Sequence, residues 1–134
     1  MEKPALIVID MLNDFLQTWP SASKQRLVQS TNALVDIVRS HERPVIWVRQ
    51  EFRPDLRDTF PEMRAKGIRI TIQGTPGCQI ASELAVDRSD TVLVKKRYSA
   101  FYGTMLDQAL ADLEPDGLIL GRDQHSLLYP HDGD

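Results

Sequence analysis

Four short apolar runs recur along the chain, each bounded by polar or turn-forming residues. They read ALIVI, PVIWV, TVLV and GLIL, at 5–9, 44–48, 91–94 and 117–120. Continuous apolar runs of this length, rich in β-branched residues, are typical of strands that are buried on both faces, as in a parallel sheet. We therefore expect four main strands in one parallel sheet.

Segments with helical spacing separate these runs. Ser23 is a good N-cap for a helix over 24–40, and a second helix is expected over 104–113. Apolar residues near one face of these helices are Leu27, Ala33, Leu34, Ile37, Val38, Met105, Leu106, Ala109, Leu110 and Leu113. The alternation of strands and helices predicts an α/β fold, a three-layer, Rossmann-like parallel sheet with helices on both faces.

The pattern is weaker between the second and third runs. A short helix is expected around 62–66, and the alternating stretch RITIQ at 69–73 could form a short edge strand. The stretch GTPGCQIASEL at 74–84 starts with turn chemistry and ends in a short helix-like piece.

The apolar pattern is lost after Gly121. The last thirteen residues, RDQHSLLYPHDGD, follow neither a helical nor a strand period and are too short for another βα unit. The sequence thus predicts one domain over 1–121, cut short at its C-terminal side, and an irregular tail over 122–134.

Composition narrows the class of protein. A chain of 134 residues with 42% hydrophobic residues is one domain with room for a core. A net charge of -3 gives no basic footprint for nucleic acid, and no apolar run is long enough to span a membrane. The N-terminus does not match a signal peptide, and a single cysteine, Cys78, cannot form an internal disulfide. These features predict a soluble cytoplasmic protein.

Two charged residues stand at the ends of predicted strands. Asp10 follows the first apolar run and Lys95 ends the third. A buried lysine is costly to desolvate unless a partner or a task keeps it there. We expect the two side chains to meet at the carboxyl ends of neighbouring strands, where open α/β sheets form their crevice. The plainer alternatives are a loop-capping Asp and a Lys whose head reaches water, and Lys96 fits the second of these.

Four stretches resemble the isochorismatase-like hydrolases, a family that includes nicotinamidases and carbamoyl-group hydrolases. They are ALIVIDMLNDF, PVIWVRQEFRPD, GTPGCQIASEL and VLVKKRYSAFYGTMLDQAL, in order between Ala5 and Gly121. The resemblance implies hydrolysis of an amide or carbamoyl-type C–N bond of a small molecule. It also implies no cofactor, and a homo-oligomer in the intact family.

The same resemblance assigns residues. Asp10 and Lys95 match the family's catalytic Asp and Lys, and the substrate pocket would involve Asn13, Phe15, Tyr98, Ser99 and Phe101. Of these, Phe15 is expected to pack against the pocket wall and Asn13 to order its loop. No metal site is implied, because the Asp-x-His-x-x-His loop of zinc-binding relatives has no counterpart here. Arg49 and Arg53 are weaker candidates to face an anionic substrate.

The chain departs from the family at the nucleophile. Family members carry a Cys after the next strand, within a pattern like GINTHAC, and that Cys attacks the carbonyl carbon while Asp takes its proton. Here GLILG is followed by RDQHSLLY, and Cys78 lies outside that loop. We therefore expect impaired activity. Two alternatives remain, a vinyl-ether hydrolase of the isochorismatase type, which needs no Cys, and a non-catalytic fragment that pairs with an intact relative.

A frameshift is one hypothesis for the tail. With silent bases chosen freely, the codons from Arg122 onward, read one base later, spell Gly-Ile-Asn-Thr-His-Ser-Cys. Genomic sequence from independent isolates that keeps the written frame across this junction would refute a sequencing error, although not an old natural frameshift.

Overall fold

The computed structural model of the chain describes residues 3–96, 106–115 and 117–122. The strands are β1 Pro4–Ile9, β2 Val45–Gln50, β3 Thr91–Lys95 and β4 Gly117–Arg122. The helices are α1 Asn13–Leu16, α2 Ser21–Ser40, α3 Pro61–Lys66 and α4 Leu106–Leu113, and Pro76–Cys78 forms one 3-10 turn.

Within these residues the four strands form one sheet in the order β3-β2-β1-β4, and every pairing is parallel. The predicted α/β fold is confirmed. The expectation that Asp10 and Lys95 follow neighbouring strands is wrong, because β2 lies between β1 and β3. Apolar runs reveal which segments are strands, but they do not reveal the order in which the strands pair.

Alternate residues of β1 divide the core between the two faces of the sheet. Leu6 and Val8 pack with Val35 of α2 on one side, while Ile7 and Ile9 pack with Leu106 of α4 on the other. This follows from the two-residue period of a strand. The sheet therefore has a helix on each face, as the three-layer prediction requires.

Several local predictions change. Helix α2 begins at Ser21, directly after Pro20, rather than at Lys24. RITIQ is not a strand: Ile72 makes a single bridge with Phe52, and Thr71 has a φ of 49°, which interrupts an extended backbone. In the stretch after it, the one helical turn is Pro76–Cys78.

The predicted domain boundary after residue 121 stays a prediction. Strand β4 ends at Arg122. Residues 123–134 lie outside the described part of the chain, so the irregular tail stays a prediction. No described helix is both long and apolar enough to cross a membrane.

Candidate active site

Asp10 is placed by a turn at the end of β1. Its N–H still bonds the Val48 carbonyl oxygen at 2.9 Å, so its backbone remains tied to the sheet. Its φ of 57° is left-handed, a conformation that Asp tolerates better than β-branched residues. The residue is 2% exposed. The carboxylate is therefore buried from solvent at the carboxyl edge of the sheet.

Lys95, the last residue of β3, reaches that carboxylate. Its Nζ lies 2.7 Å from Asp10 Oδ2, and Lys95 is also 2% exposed. Two strand spacings separate β1 from β3 by roughly 10 Å, which the four-carbon stem of a lysine and a short Asp can bridge. The two charges that the sequence singled out thus meet, across β2 rather than side by side.

The buried ion pair has defined chemistry. Opposite charges in contact offset the cost of removing each from water, and the loss of one partner leaves the other buried and uncompensated. A carboxylate in this setting can accept a proton from a nucleophile or water, and the ammonium can stabilise a developing anion.

Asp14 holds the segment 71–78 against α1. Its Oδ2 accepts a hydrogen bond from the Thr71 N–H at 2.6 Å. A Cβ placed on Gly77 would collide with the same carboxylate, so this position requires glycine. Asn13 Nδ2 donates to the Pro76 carbonyl oxygen at 2.8 Å. These contacts fix the loop that borders the carboxyl edge of the sheet.

The contacts of the single cysteine are with groups other than the ion pair. Cys78 is fully buried. Its Sγ lies 3.3 Å from the Thr75 carbonyl oxygen and 3.8 Å from Arg49 Nη1. Arg49 lies two residues after Trp47, which packs with α2, whereas Lys95 lies two residues after Leu93, which packs with α4. By strand alternation Arg49, which the thiol contacts, and Lys95 belong to opposite faces of the sheet.

The family model of the isochorismatase domain matches residues 4–121. The chain belongs to the isochorismatase family. The structure of N-carbamoylsarcosine amidase from Thermoplasma acidophilum superposes with a TM-score of 0.76 and 33% identity, over 90% of this chain and 67% of that one.

Two further relatives show how much of the family's length is matched. An Arabidopsis thaliana protein described as a probable inactive nicotinamidase is 32% identical over 115 residues, 79% of this chain and 58% of that protein. Enterobactin synthase component B of Escherichia coli is 28% identical over 123 residues, 89% of this chain and 42% of that protein. The chain therefore spans less than half of the synthase component.

The structure describes two of the five predicted pocket residues, Asn13 and Phe15. Phe15 is buried at the end of the first motif, and the Asn13 amide orders the loop at Pro76. Tyr98, Ser99 and Phe101 lie outside the described residues. A role in a substrate pocket stays a prediction for all five positions. The catalytic roles of Asp10 and Lys95 likewise stay predictions, although their contact is observed.

The neighbouring cations have partners other than a substrate. Arg49 Nη1 lies 2.8 Å from Glu51 Oε1, and Arg53 pairs with Asp55 at 2.8 Å. Lys96 does not simply reach into water: its Nζ lies 3.0 Å from Asp58 Oδ2 and also contacts the Glu51 carbonyl oxygen. Lys96 therefore ties the loop after β2 to the end of β3.

The contact with Lys96 lowers the pKa of Asp58. Partial burial raises its pKa, but the Arg53 N–H and the Lys96 ammonium outweigh burial, so the pKa stays below the ordinary 3.8.

Residues 3–96, 106–115 and 117–122 contain no group of three or more His, Cys, Asp or Glu that could hold a metal ion.

Sequence reasoning missed Asp14, Thr71 and Gln50. Gln50 Nε2 donates to Thr71 Oγ1 at 3.1 Å, and both residues are buried. The signals were weak, since a Gln at a strand end and a Thr in an alternating run are ordinary. Gly77 was the clearest clue, because a glycine in a turn can mark a close approach of another group.

Proposed function

We propose that this chain carries the site of an isochorismatase-family hydrolase that acts on an amide or carbamoyl-type C–N bond of a small molecule. In this proposal Asp10 is the proton acceptor and Lys95 is the cation that stabilises an anionic nucleophile or intermediate. The observation that carries the proposal is the buried 2.7 Å contact between their charged groups. Similarity to N-carbamoylsarcosine amidase supports the substrate class.

We further propose that the 134-residue chain has little or no acyl-transfer activity of its own. Acyl transfer in the family needs a thiolate beside the Asp and the Lys. The only thiol of this chain is Cys78, which contacts Thr75 and Arg49 instead. The similarity to a probable inactive nicotinamidase is consistent with this proposal.

The test is an activity assay of the 134-residue chain against simple amides, N-carbamoyl compounds and isochorismate. We expect no ammonia release above that of Asp10→Asn and Lys95→Met. Asp36→Asn and Lys66→Met, at exposed positions, are the matched controls. Amidase turnover that Asp10→Ala abolishes would overturn the proposed inactivity, and Cys78→Ser then shows whether this thiol takes part.

A second candidate is vinyl-ether hydrolysis of the isochorismatase type. It is favoured by the combination of an intact Asp10–Lys95 pair and no thiol beside it, because this reaction does not need the Cys. Consumption of isochorismate that is lost in Asp10→Asn, without turnover of any amide, supports this candidate. No consumption by the parent chain counts against it.

A third candidate is a non-catalytic chain that associates with a second copy or with an intact relative. Strand β4 has one neighbour among the described strands, and Leu118 on it is 38% exposed. An unpaired strand edge can pair with another chain. This candidate predicts association without turnover, which a sedimentation measurement beside the activity assay distinguishes.

A further inference from the structure

Gln50 stands where Lys95 crosses the sheet. Lys95 on β3 must pass over β2 to reach Asp10, and the β2 residue in register with it is Gln50. Val48 and Leu93, two residues earlier on each strand, pack together on the α4 side. By strand alternation Gln50 and Lys95 face that same side. Gln50 and Lys95 therefore project from paired positions of adjacent strands on the same face of the sheet.

An amide at this position is chemically unusual. The β2 residues before it on the same face, Ile46 and Val48, are apolar and buried, and Gln50 is itself 5% exposed. A buried amide costs free energy unless it is hydrogen-bonded. Here its Nε2 donates to Thr71 Oγ1 at 3.1 Å, which supplies that hydrogen bond.

Thr71 is itself held at several points. Its N–H donates to Asp14, its carbonyl oxygen accepts from the Phe52 N–H at 2.8 Å, and its hydroxyl accepts from Gln50. It is fully buried with a φ of 49°, a strained conformation for a β-branched residue. Such strain persists where the surroundings over-determine it, often beside a functional site.

We propose that Gln50 is a positioning residue for Lys95, and that the Thr71 hydroxyl holds it in that role. The buried Gln50–Thr71 hydrogen bond limits the paths open to the Lys95 stem and keeps its ammonium against Asp10. This inference rests on the proposed function in treating the Asp10–Lys95 pair as the reactive centre. A purely structural Gln50 would instead tie the loop at Thr71 to the sheet without affecting Lys95.

The test reads Lys95 directly and needs no turnover. Acetylation of lysine Nζ by an activated acetyl ester is followed by mass spectrometry in the folded 134-residue chain, with Lys66 as the internal reference. We expect Thr71→Val and Gln50→Met to raise the Lys95 rate about fivefold, the order that one net hydrogen bond contributes. Thr71→Ser keeps the hydroxyl and should therefore keep the Lys95 acetylation rate of the parent chain. Gln73→Met, at an exposed position in the same loop, should change nothing.

A second measurement keeps the proposal testable if Thr71→Val or Gln50→Met does not fold. The NMR signal of the Lys95 ammonium, assigned by its loss in Lys95→Met, should move in Gln50→Glu and stay in place in Gln73→Glu. An unchanged Lys95 acetylation rate in a folded Thr71→Val or Gln50→Met variant would overturn the proposal. So would an unchanged Lys95 signal in Gln50→Glu. An inactive chain can still pass this test, so the proposal and the proposed function can fail separately.

Discussion

The buried contact between Asp10 and Lys95 makes each residue depend on the other for stability. Asp10→Asn leaves the Lys95 ammonium in a site with 2% exposure, and we expect it to lower the free energy of unfolding by about 3–5 kcal/mol. Lys95→Met, which matches the volume of the stem, should cost less, because a buried carboxylate can take up a proton. Urea unfolding measures both.

The double variant Asp10→Asn/Lys95→Met isolates the pair itself. It should be more stable than the sum of the two single losses predicts, since no uncompensated charge remains. Lys66→Met, which breaks the exposed pair with Glu62, is the control and should have no measurable effect. Additive losses in the double variant would argue against a coupled pair.

Gly77 is a second residue where a small change should have a large effect. Gly77→Ala places a methyl group against the Asp14 carboxylate and should destabilise the chain by about 1–3 kcal/mol. Gly121→Ala is the matched control, because the nearest atom of the described residues to its added Cβ is 4.0 Å away. In an Asp14→Ala background the further loss from Gly77→Ala should largely disappear. Thermal unfolding of the four variants checks this, and a loss that persists without the carboxylate contradicts the steric explanation.

At the scale of elements, α2 should tolerate change on one side only. Val35 is fully buried against the sheet, whereas Ile37 is 57% exposed. We expect Val35→Ala to cost about 2 kcal/mol and Ile37→Ala well under 1 kcal/mol, because only the first opens a cavity. Urea unfolding of the two variants measures the difference. Equal losses would mean that α2 packs differently in solution.

The loop after β2 should loosen in acid. The pKa of Asp58 is lower in the folded chain than its ordinary 3.8, so its stabilising contribution is complete above that value. The contribution is lost as the pH falls through the folded pKa. The difference in unfolding free energy between the parent and Asp58→Asn should therefore be largest at neutral pH and should shrink below about pH 4.

Lys96→Met tests the other partner of the Asp58–Lys96 ion pair. It removes the ammonium that lies 3.0 Å from Asp58, so it should reduce the acid dependence in the same direction. Urea unfolding as a function of pH measures both variants. Parallel pH profiles for the parent and Asp58→Asn would contradict the role given to this loop contact.

The elements also show which parts of the fold the sequence could predict. β1 and β2 are buried, nearly continuous apolar runs, so pattern alone located them. The stretch at 69–73 alternates as a strand would, yet the left-handed Thr71 breaks it, and that conformation depends on contacts with Asp14 and Gln50 from distant parts of the chain. Local sequence carries no record of such contacts.

The whole molecule shows the same limit at the candidate active site. Lys95 and Asp10 could be singled out because charge is rare at the end of a buried strand. The sequence could not predict that Lys95 crosses β2 to reach Asp10, since this crossing depends on the strand order β3-β2-β1-β4. Gln50 was missed for that reason: only the observed register places it beside Lys95.

Self-association is a further expectation for the whole molecule. We expect the 134-residue chain to associate through β4, and Leu118→Lys to shift it toward monomer in sedimentation velocity experiments. Val86→Lys is the matched control, since Val86 is similarly exposed at 41% but lies outside the strands. A clean, cooperative monomer at high concentration would contradict this expectation.

The crossing of Lys95 over β2 has a consequence for how the protein is made. During translation Asp10 leaves the ribosome early, and its cation follows only after all of β1, α2 and β2 have emerged. The ionic contact therefore cannot form before the third strand has been synthesised and has docked beside β2.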